Sequence, residues 1–278
     1  MKQFAILGYP LVHTLSPQLH QLLAAQWGEE LEYTIREVPP QDWDASLPGL
    51  LALDGFNITI PYKLRIMEQM DRLDATAQRH GAMNVAVREA DGSFTGYNTD
   101  CIGFTRCLEE EGIPLAGSVC VLGCGGAGRM FATEAAGHGC PVTIAVRPTE
   151  KAQAEARQVA EHIRALCPQV PVTVTTLDAL QGGFDLVVNA TPVGMFPHTQ
   201  ESPVAPQALA GTKYLFDCIY NPAETRLMQL AREAGCLRVA GGMKMLVWQA
   251  AAAQELWYRR KFTPQQVAQV IRQMEGGR

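Results

Sequence analysis

Residues 119–128 read Val-Cys-Val-Leu-Gly-Cys-Gly-Gly-Ala-Gly. A short apolar run, then glycines at G-x-G-x-x-G spacing (Gly123, Gly125, Gly128), then an apolar helical stretch, is compatible with few folds. The first glycine permits a tight turn, the second lets backbone approach a pyrophosphate, and the third lets helix pack closely on strand. Gly126 and Ala127 complete the loop ahead of a helix N-terminus, whose free N–H groups and positive dipole end attract phosphate. Strand, loop and helix stand in the required order, which favours a dinucleotide site over a merely structural turn. A unit of this kind also implies a parallel sheet crossed by helices.

The end of the next strand bears on which dinucleotide is bound. An NAD site places Asp or Glu there, about 20 residues past the glycines, to hold the ribose 2′-hydroxyl. This chain instead reads Ala145-Val146-Arg147-Pro148-Thr149-Glu150-Lys151. Arg147 and Lys151 could clamp a 2′-phosphate. As plain solvated charges at a helix start, both would oppose the helix dipole. The expected cofactor is therefore NADP, ahead of NAD.

The same alternation runs through the rest of the chain. Strands are expected at 142–146, 172–175, 186–189, 214–217 and 237–240, with helices at 126–138 and 149–166. Upstream, strands at 2–7, 33–38 and 56–60 alternate with helices at 17–27, 41–53 and near 64–70. Asp91-Gly92 between 85–88 and 94–97 signals a hairpin. A helix over 102–111 leads to Gly112-Ile113-Pro114, a boundary signal. The reading is α/β with two domains: an N-terminal open, mostly parallel substrate domain (1–101) and a Rossmann-type, doubly wound dinucleotide-binding domain (102–240). Residues 241–278 read as helices without a strand, which need a sheet to cover. Their return to the first domain would make that domain discontinuous.

With 47% hydrophobic and 18% charged residues, the composition is that of an ordinary globular chain. A net charge of −5 gives no electrostatic reason to expect nucleic acid or an anionic membrane as partner. No run of about 18 apolar residues is present. Eight cysteines are scattered without a Cys-x-x-Cys pair, so reduced thiols are expected and neither a disulfide framework nor a metal site. Residues 1–8 lead straight into a strand pattern, without a basic start and apolar core, so the expected compartment is the cytoplasm. No motif sets the oligomeric state; a monomer or homodimer is expected. Cys124, inside the phosphate loop, is a candidate for sensitivity to thiol reagents.

Three polar clusters fall at strand or loop ends of the first domain, where open α/β sheets bind ligands. The first lies in Gly8–Pro17, where Thr14 and Ser16 offer hydroxyls beside a helix start. Read locally, Ser16 before Pro17 is an N-cap with proline at N1, and that reading is favoured there. The second is Asn57-Ile58-Thr59-Ile60-Pro61-Tyr62-Lys63. Strand alternation would put Asn57 and Thr59 on one face, with Lys63 just past the end; alone, Lys63 is an ordinary surface charge. The third joins Gly81-Ala82-Met83-Asn84 to Gly96-Tyr97-Asn98-Thr99-Asp100, where Thr99 or Asp100 would serve as a helix cap.

Together these segments resemble the shikimate dehydrogenase family. Its G-x-P-x-x-H-S-x-S-P, N-V-T-x-P-x-K, G-A-x-N-T and G-x-N-T-D motifs recur here in order. The second domain adds the glycine loop and Asn189-Ala190-Thr191-Pro192-Val193-Gly194-Met195. Asp217-Cys218-Ile219-Tyr220-Asn221-Pro222 with Thr225, and Met245-Leu246-Val247-Trp248-Gln249-Ala250, complete a resemblance over nearly the whole chain.

The resemblance implies NADPH-dependent reversible reduction of 3-dehydroshikimate to shikimate, with Lys63 and Asp100 as the catalytic pair. It implies that Thr14, Ser16 and Thr59 meet the substrate carboxylate, that Asn84 and Thr99 meet ring hydroxyls, and that Gln249 meets the ring. Asn57 joins this substrate set, and Tyr220 would help to close the site. Cofactor would lie along the glycine loop, Arg147, Lys151, Asn189, Thr191, Cys218 and Gly242. A quinate or quinate/shikimate dehydrogenase using NAD or NADP is a close variant, and a ligand-sensing module without chemistry is the alternative from another class. Four departures stand out: Thr14 for serine, Val85 for threonine, Val146 and Pro148 around Arg147, and Lys244 where the family has the second glycine of G-x-G-M. Lys244 either points outward without effect or adds a cation at the cleft.

Overall fold

The computed structural model describes residues 1–11 and 14–276, and the chain divides into two compact units. The first comprises Met1–Gly103 and Val247–Arg278, the second Phe104–Leu246.

The first unit contains β1 (Lys2–Gly8), α1 (Ser16–Ala25), β2 (Leu31–Glu37), α2 (Trp43–Leu50), β3 (Gly55–Ile58), β4 (Arg72–Leu73), α3 (Ala75–His80), β5 (Val85–Arg88), β6 (Phe94–Tyr97) and the start of α4 (Asp100–Glu111). Its sheet order is β2-β1-β3-β5-β6-β4. The β1–β2, β1–β3 and β4–β6 pairs are parallel. β5 runs antiparallel to β3 and β6 because the Asp91-Gly92 turn folds β5 back on β6.

The second unit continues with β7 (Val119–Leu122), α5 (Gly126–Gly137), β8 (Val142–Val146), α6 (Glu150–Leu166), β9 (Val172–Thr176), β10 (Leu186–Asn189), β11 (Tyr214–Asp217), α7 (Arg226–Glu233) and β12 (Arg238–Gly241). All six strands are parallel, in the order β12-β11-β10-β7-β8-β9. Every residue of β7 and β10 is buried, as strands covered on both faces require. The order reverses between β7 and β10, so the carboxyl ends of these two strands form the switch point where doubly wound sheets bind ligands. Helix α8 (Met243–Tyr258) begins in this unit and ends in the first, where α9 (Pro264–Gly276) follows.

In the first unit one sheet face is covered by Trp43, Phe56, Tyr62, Ile66 and Phe94. The other is covered by the tail helices. Trp257 stacks on Phe4 at 4.3 Å between ring centroids and donates its indole N–H to the Ala86 carbonyl at 3.0 Å. Phe262 stacks on Trp27 at 3.7 Å. In the second unit Phe104, Phe131 and Phe216 pack together with centroids 4.6–5.7 Å apart.

Several local expectations need correction. The stretch expected as a helix near 64–70 is one 3-10 turn, Arg65–Gln69. β3 stops at Ile58, so Thr59 is not held on the Asn57 face by strand pleating. Helices α3 and α7 were not expected. Each starts at a side-chain cap: Asp74 accepts from the Thr76 and Ala77 N–H groups, and Thr225 accepts from that of Met228. Among the described residues no helix is long and apolar enough to cross a membrane.

Candidate active site

Strand ends and the turns after them build the polar site of the first unit. The Lys63 carbonyl accepts from the Met83 N–H at 3.0 Å, which ties the segment after β3 to the turn before β5. From there the Lys63 ammonium reaches Asp100, at the start of α4, with Nζ 2.5 Å from Oδ2. Asn84, just ahead of β5, donates through Nδ2 to Asp100 Oδ1 at 2.9 Å and to Thr99 Oγ1 at 3.1 Å. Its own Oδ1 accepts from the Thr99 N–H at 2.7 Å. Gln249 of α8 joins through Oε1, 3.5 Å from the same Asn84 nitrogen. Lys63, Asn84, Thr99, Asp100 and Gln249 are thus one hydrogen-bonded cluster.

Asn84 and Thr99 are buried, whereas Lys63 and Asp100 keep 29% and 21% of their side chains exposed. The ion pair can therefore be reached while the residues that orient it are fixed. Asn98 was not singled out in the sequence, although it lies within a motif quoted there. It accepts from the Asp100 N–H at 3.1 Å and donates to the Ala82 carbonyl at 3.0 Å, locking the two polar turns together. The signal available was an Asn two residues before a helix, the pattern of an Asx turn.

Thr14 and Ser16 form a pair of hydroxyls at the head of α1. Thr14 Oγ1 donates to Ser16 Oγ at 3.1 Å and accepts from the Ser16 N–H at 3.2 Å. The N-cap expectation for Ser16 fails. Helical backbone already begins at Leu15, and no side chain caps the helix. Val12 and His13, in the same segment, lie outside the described residues. Asn57 is buried with Oδ1 accepting from the Tyr33 hydroxyl at 2.7 Å. Thr59 is half-buried just past β3, its N–H donating to the Leu7 carbonyl at 2.8 Å.

The second unit presents the glycine loop at its switch point. Gly123 has φ +94°, a left-handed conformation that side chains rarely adopt. A Cβ on Gly128 would run into the Gly123 carbonyl, so only glycine lets α5 come this close. Gly125 occupies the N-cap of α5, and no side chain satisfies the free N–H groups there. Gly125, Gly126 and Ala127 are exposed, and a Cβ on either glycine would enter open space. A cradle of unsatisfied N–H groups open to solvent fits the pyrophosphate of a dinucleotide.

Thr191 lies directly beside the loop, its methyl 3.0 Å from where a Gly123 Cβ would stand. Asn189 Oδ1 accepts from the N–H and the hydroxyl of Thr191 at 2.9 and 2.7 Å, and its Nδ2 donates to Asp217 at 2.9 Å. Asp217, fully buried, also accepts from the Ile219 N–H and the Thr225 hydroxyl. Burial pushes this carboxyl upward, against those three hydrogen bonds. Cys218 donates its N–H to the Asn189 carbonyl, and Gly242 donates to that of Ile219, with no room for a Cβ against Cys218. Tyr220 follows, half-buried. Arg147 and Lys151 stand exposed, the first just past β8 and the second in the opening turn of α6.

Burial raises the Cys124 thiol and pushes that of Cys218 to about 12. Little thiolate is then present at neutral pH, against the expectation of a reactive Cys124. Lys244 turns to the last turn of α4, with Nζ 2.5 Å from Glu111 and 3.7 Å from Glu110. Burial opposes its charge, but the two carboxylates outweigh that and raise its pKa. Its cation is neutralised within the second unit.

Residues 6–86 match the family model described as the shikimate dehydrogenase substrate binding domain. Over 280 residues the chain is 38% identical to the NADP(+) shikimate dehydrogenase of Moorella thermoacetica, covering 98% of this chain and 93% of that one. The enzyme of the same name from Methanocaldococcus jannaschii is 35% identical over 260 residues, covering 92% and 91%. Among solved structures, the shikimate 5-dehydrogenase of Thermus thermophilus in complex with NADP(H) and shikimate aligns with a TM-score of 0.86 at 31% identity, covering 98% of this chain and 99% of that one.

Proposed function

The chain belongs to the shikimate dehydrogenase family, and from that premise we propose that it catalyses the reversible NADPH-dependent reduction of 3-dehydroshikimate to shikimate. The first unit binds substrate and holds the catalytic pair, and the second binds NADP. The observation that carries the reading is the Lys63–Asp100 pair at 2.5 Å, with Asp100 fixed by Asn84.

When bound, the nicotinamide supplies the hydride. As the substrate ketone takes on alkoxide character, the Lys63 ammonium stabilises the developing charge and donates the proton. Asp100 orients that ammonium and accepts from a substrate hydroxyl. Asn84, with both amide atoms committed to Thr99 and Asp100, fixes the geometry of the pair before substrate arrives. Thr14, Ser16 and Thr59 receive the carboxylate, Thr99 with Asn84 addresses ring hydroxyls, Asn57 completes the substrate set, and Gln249 contacts the ring.

In the second unit, the N–H groups at Gly125, Gly126 and Ala127 hold the pyrophosphate, and Gly123 and Gly128 shape the cradle. Arg147, assisted by Lys151, holds the 2′-phosphate. Asn189, Thr191, Cys218 and Gly242 line the path of the nicotinamide half. All eight cysteines are free thiols, which suits a cytoplasmic enzyme, monomeric or homodimeric.

The test is four parallel assays following absorbance of the reduced cofactor, with shikimate or quinate against NADP+ or NAD+. Turnover confined to shikimate with NADP+ is expected. Silence in all four would overturn the assignment.

A further inference from the structure

Behind Asn57 lies a set of polar side chains, in the interior of the first unit, that the reaction does not use. His20 is 1% exposed, Tyr33 8% and Gln254 0%. Groups of this kind are costly to bury unless their hydrogen bonds are made. Here several are made to one another, while Gln254 Oε1 is buried without a hydrogen-bond partner. The Tyr33 hydroxyl donates to Asn57 Oδ1 at 2.7 Å. The Gln254 amide donates to the His20 carbonyl at 2.7 Å and lies 3.2 Å from His20 Nδ1. The His20 ring stacks on the Tyr33 ring at 4.5 Å and 15°.

Directionality follows from this geometry. A Gln254 N–H facing Nδ1 makes that nitrogen an acceptor, so the proton of the neutral ring sits on Nε2. That tautomer makes the far nitrogen of the ring a donor. Asn57 Oδ1 is pinned inward by the hydroxyl of Tyr33, whose ring is held against that of His20. The Asn57 Nδ2 is left facing the other way, with only a long contact of 3.5 Å to the Asn84 carbonyl. An amide flipped by half a turn would present an oxygen there instead, which repels any electron-rich oxygen of a ligand.

We propose that Tyr33, backed by His20 and Gln254, is a positioning residue that fixes the Asn57 amide as a donor, and thereby sets the affinity for an oxygen-rich anionic substrate. This rests on the functional reading above and adds to it a chain that runs from α8 through α1 and β2 to the site. The residues touch neither substrate nor cofactor; they act through Asn57. A purely packing role predicts something different, because phenylalanine at position 33 keeps the ring and its stacking and loses only the hydroxyl.

The experiment compares the full-length parent with Tyr33→Phe in two measurements: steady-state kinetics with shikimate and NADP+, and calorimetric titration of the cofactor-free protein with shikimate. The expected result is a KM and a Kd for shikimate each raised about tenfold, equivalent to about 1.4 kcal/mol. KM for NADP+, kcat and the melting temperature stay close to the parent's. A variant whose shikimate KM and Kd both remain within about twofold of an active parent's overturns the positioning role alone. So does a loss of kcat with unchanged KM. A parent that neither binds nor oxidises shikimate overturns the functional reading together with the network built on it.

Discussion

The chemistry proposed at Lys63 depends on a single ammonium held by a single carboxylate. Replacing Lys63 with alanine is expected to lower kcat by about 10²- to 10⁴-fold, the usual weight of a positioned general acid. KM for NADP+ should hardly change, since Lys63 lies in the first unit. Initial-rate kinetics check this, and turnover at the parental level would sink the mechanism. A second prediction concerns His20, whose pKa burial lowers from 6.5 to about 3. The folded state then binds fewer protons than the unfolded state between these values. Its contribution to stability is present above pH 6.5 and is lost as pH falls toward 3, by up to about 1.4 kcal/mol per pH unit. Urea unfolding at pH 7, 6 and 5 should show a steeper decline in the parent than in His20→Gln. Equal slopes would mean that His20 is not held neutral by the fold. The thiols give a third prediction. With Cys124 buried and its pKa raised, thiol reagents at neutral pH should leave activity intact over the time in which an exposed model thiol reacts fully.

At the scale of elements, the β8–α6 junction sets cofactor choice. Arg147 is exposed just past β8, and the neighbouring Thr149 is occupied in capping α6, where it accepts from the Ala152 N–H. Arg147→Ala is therefore expected to raise KM for NADP+ about tenfold or more while leaving KM for NAD+ and shikimate nearly unchanged. Parallel kinetics with the two cofactors measure the ratio, and an equal loss with both would assign Arg147 another role. Elements whose apolar pattern is long or bounded by glycine were legible in the sequence: the β7–loop–α5 unit, the β5–β6 hairpin, and the parallel strands that follow. α3 and α7 were not, because they are short and are marked by a capping Asp74 or Thr225, not by apolar periodicity. Ser16 misled for the converse reason. A Ser-Pro pair has the form of a cap, yet a hydroxyl two residues earlier, Thr14, engages it. For Lys63 and Asp100 the local reading could not separate function from surface charge or cap; only the ordered motifs singled them out. The Tyr33–His20–Gln254 chain left no local trace, since two of its members are separated by 234 positions.

For the whole molecule, the division of the chain matters more than any one element. The first unit is assembled from two separate stretches, and the second from one continuous stretch between them. A chain ending after Leu246 would lack Gln249, Gln254 and Trp257, and with them the cover over Phe4 and one member of the Asn84 cluster. Such a chain is expected to lose shikimate binding while keeping NADPH binding within about tenfold, because the glycine loop and its neighbours lie in the uninterrupted unit. Fluorescence titration with NADPH and calorimetry with shikimate separate the two. Loss of both would show that the second unit cannot stand without the completed first.

The same division sets an order of events on the ribosome. The first hundred residues emerge early, with their sheet still bare on the face that α8 and α9 will cover. The dinucleotide-binding unit is synthesised next and can close on itself as soon as it is out, since domains generally fold as units during synthesis. Only residues 247–276, made after that unit, supply the cover that residues 1–103 need. Throughout that interval the nascent chain exposes an apolar sheet, which makes its N-terminal portion a natural client for chaperones.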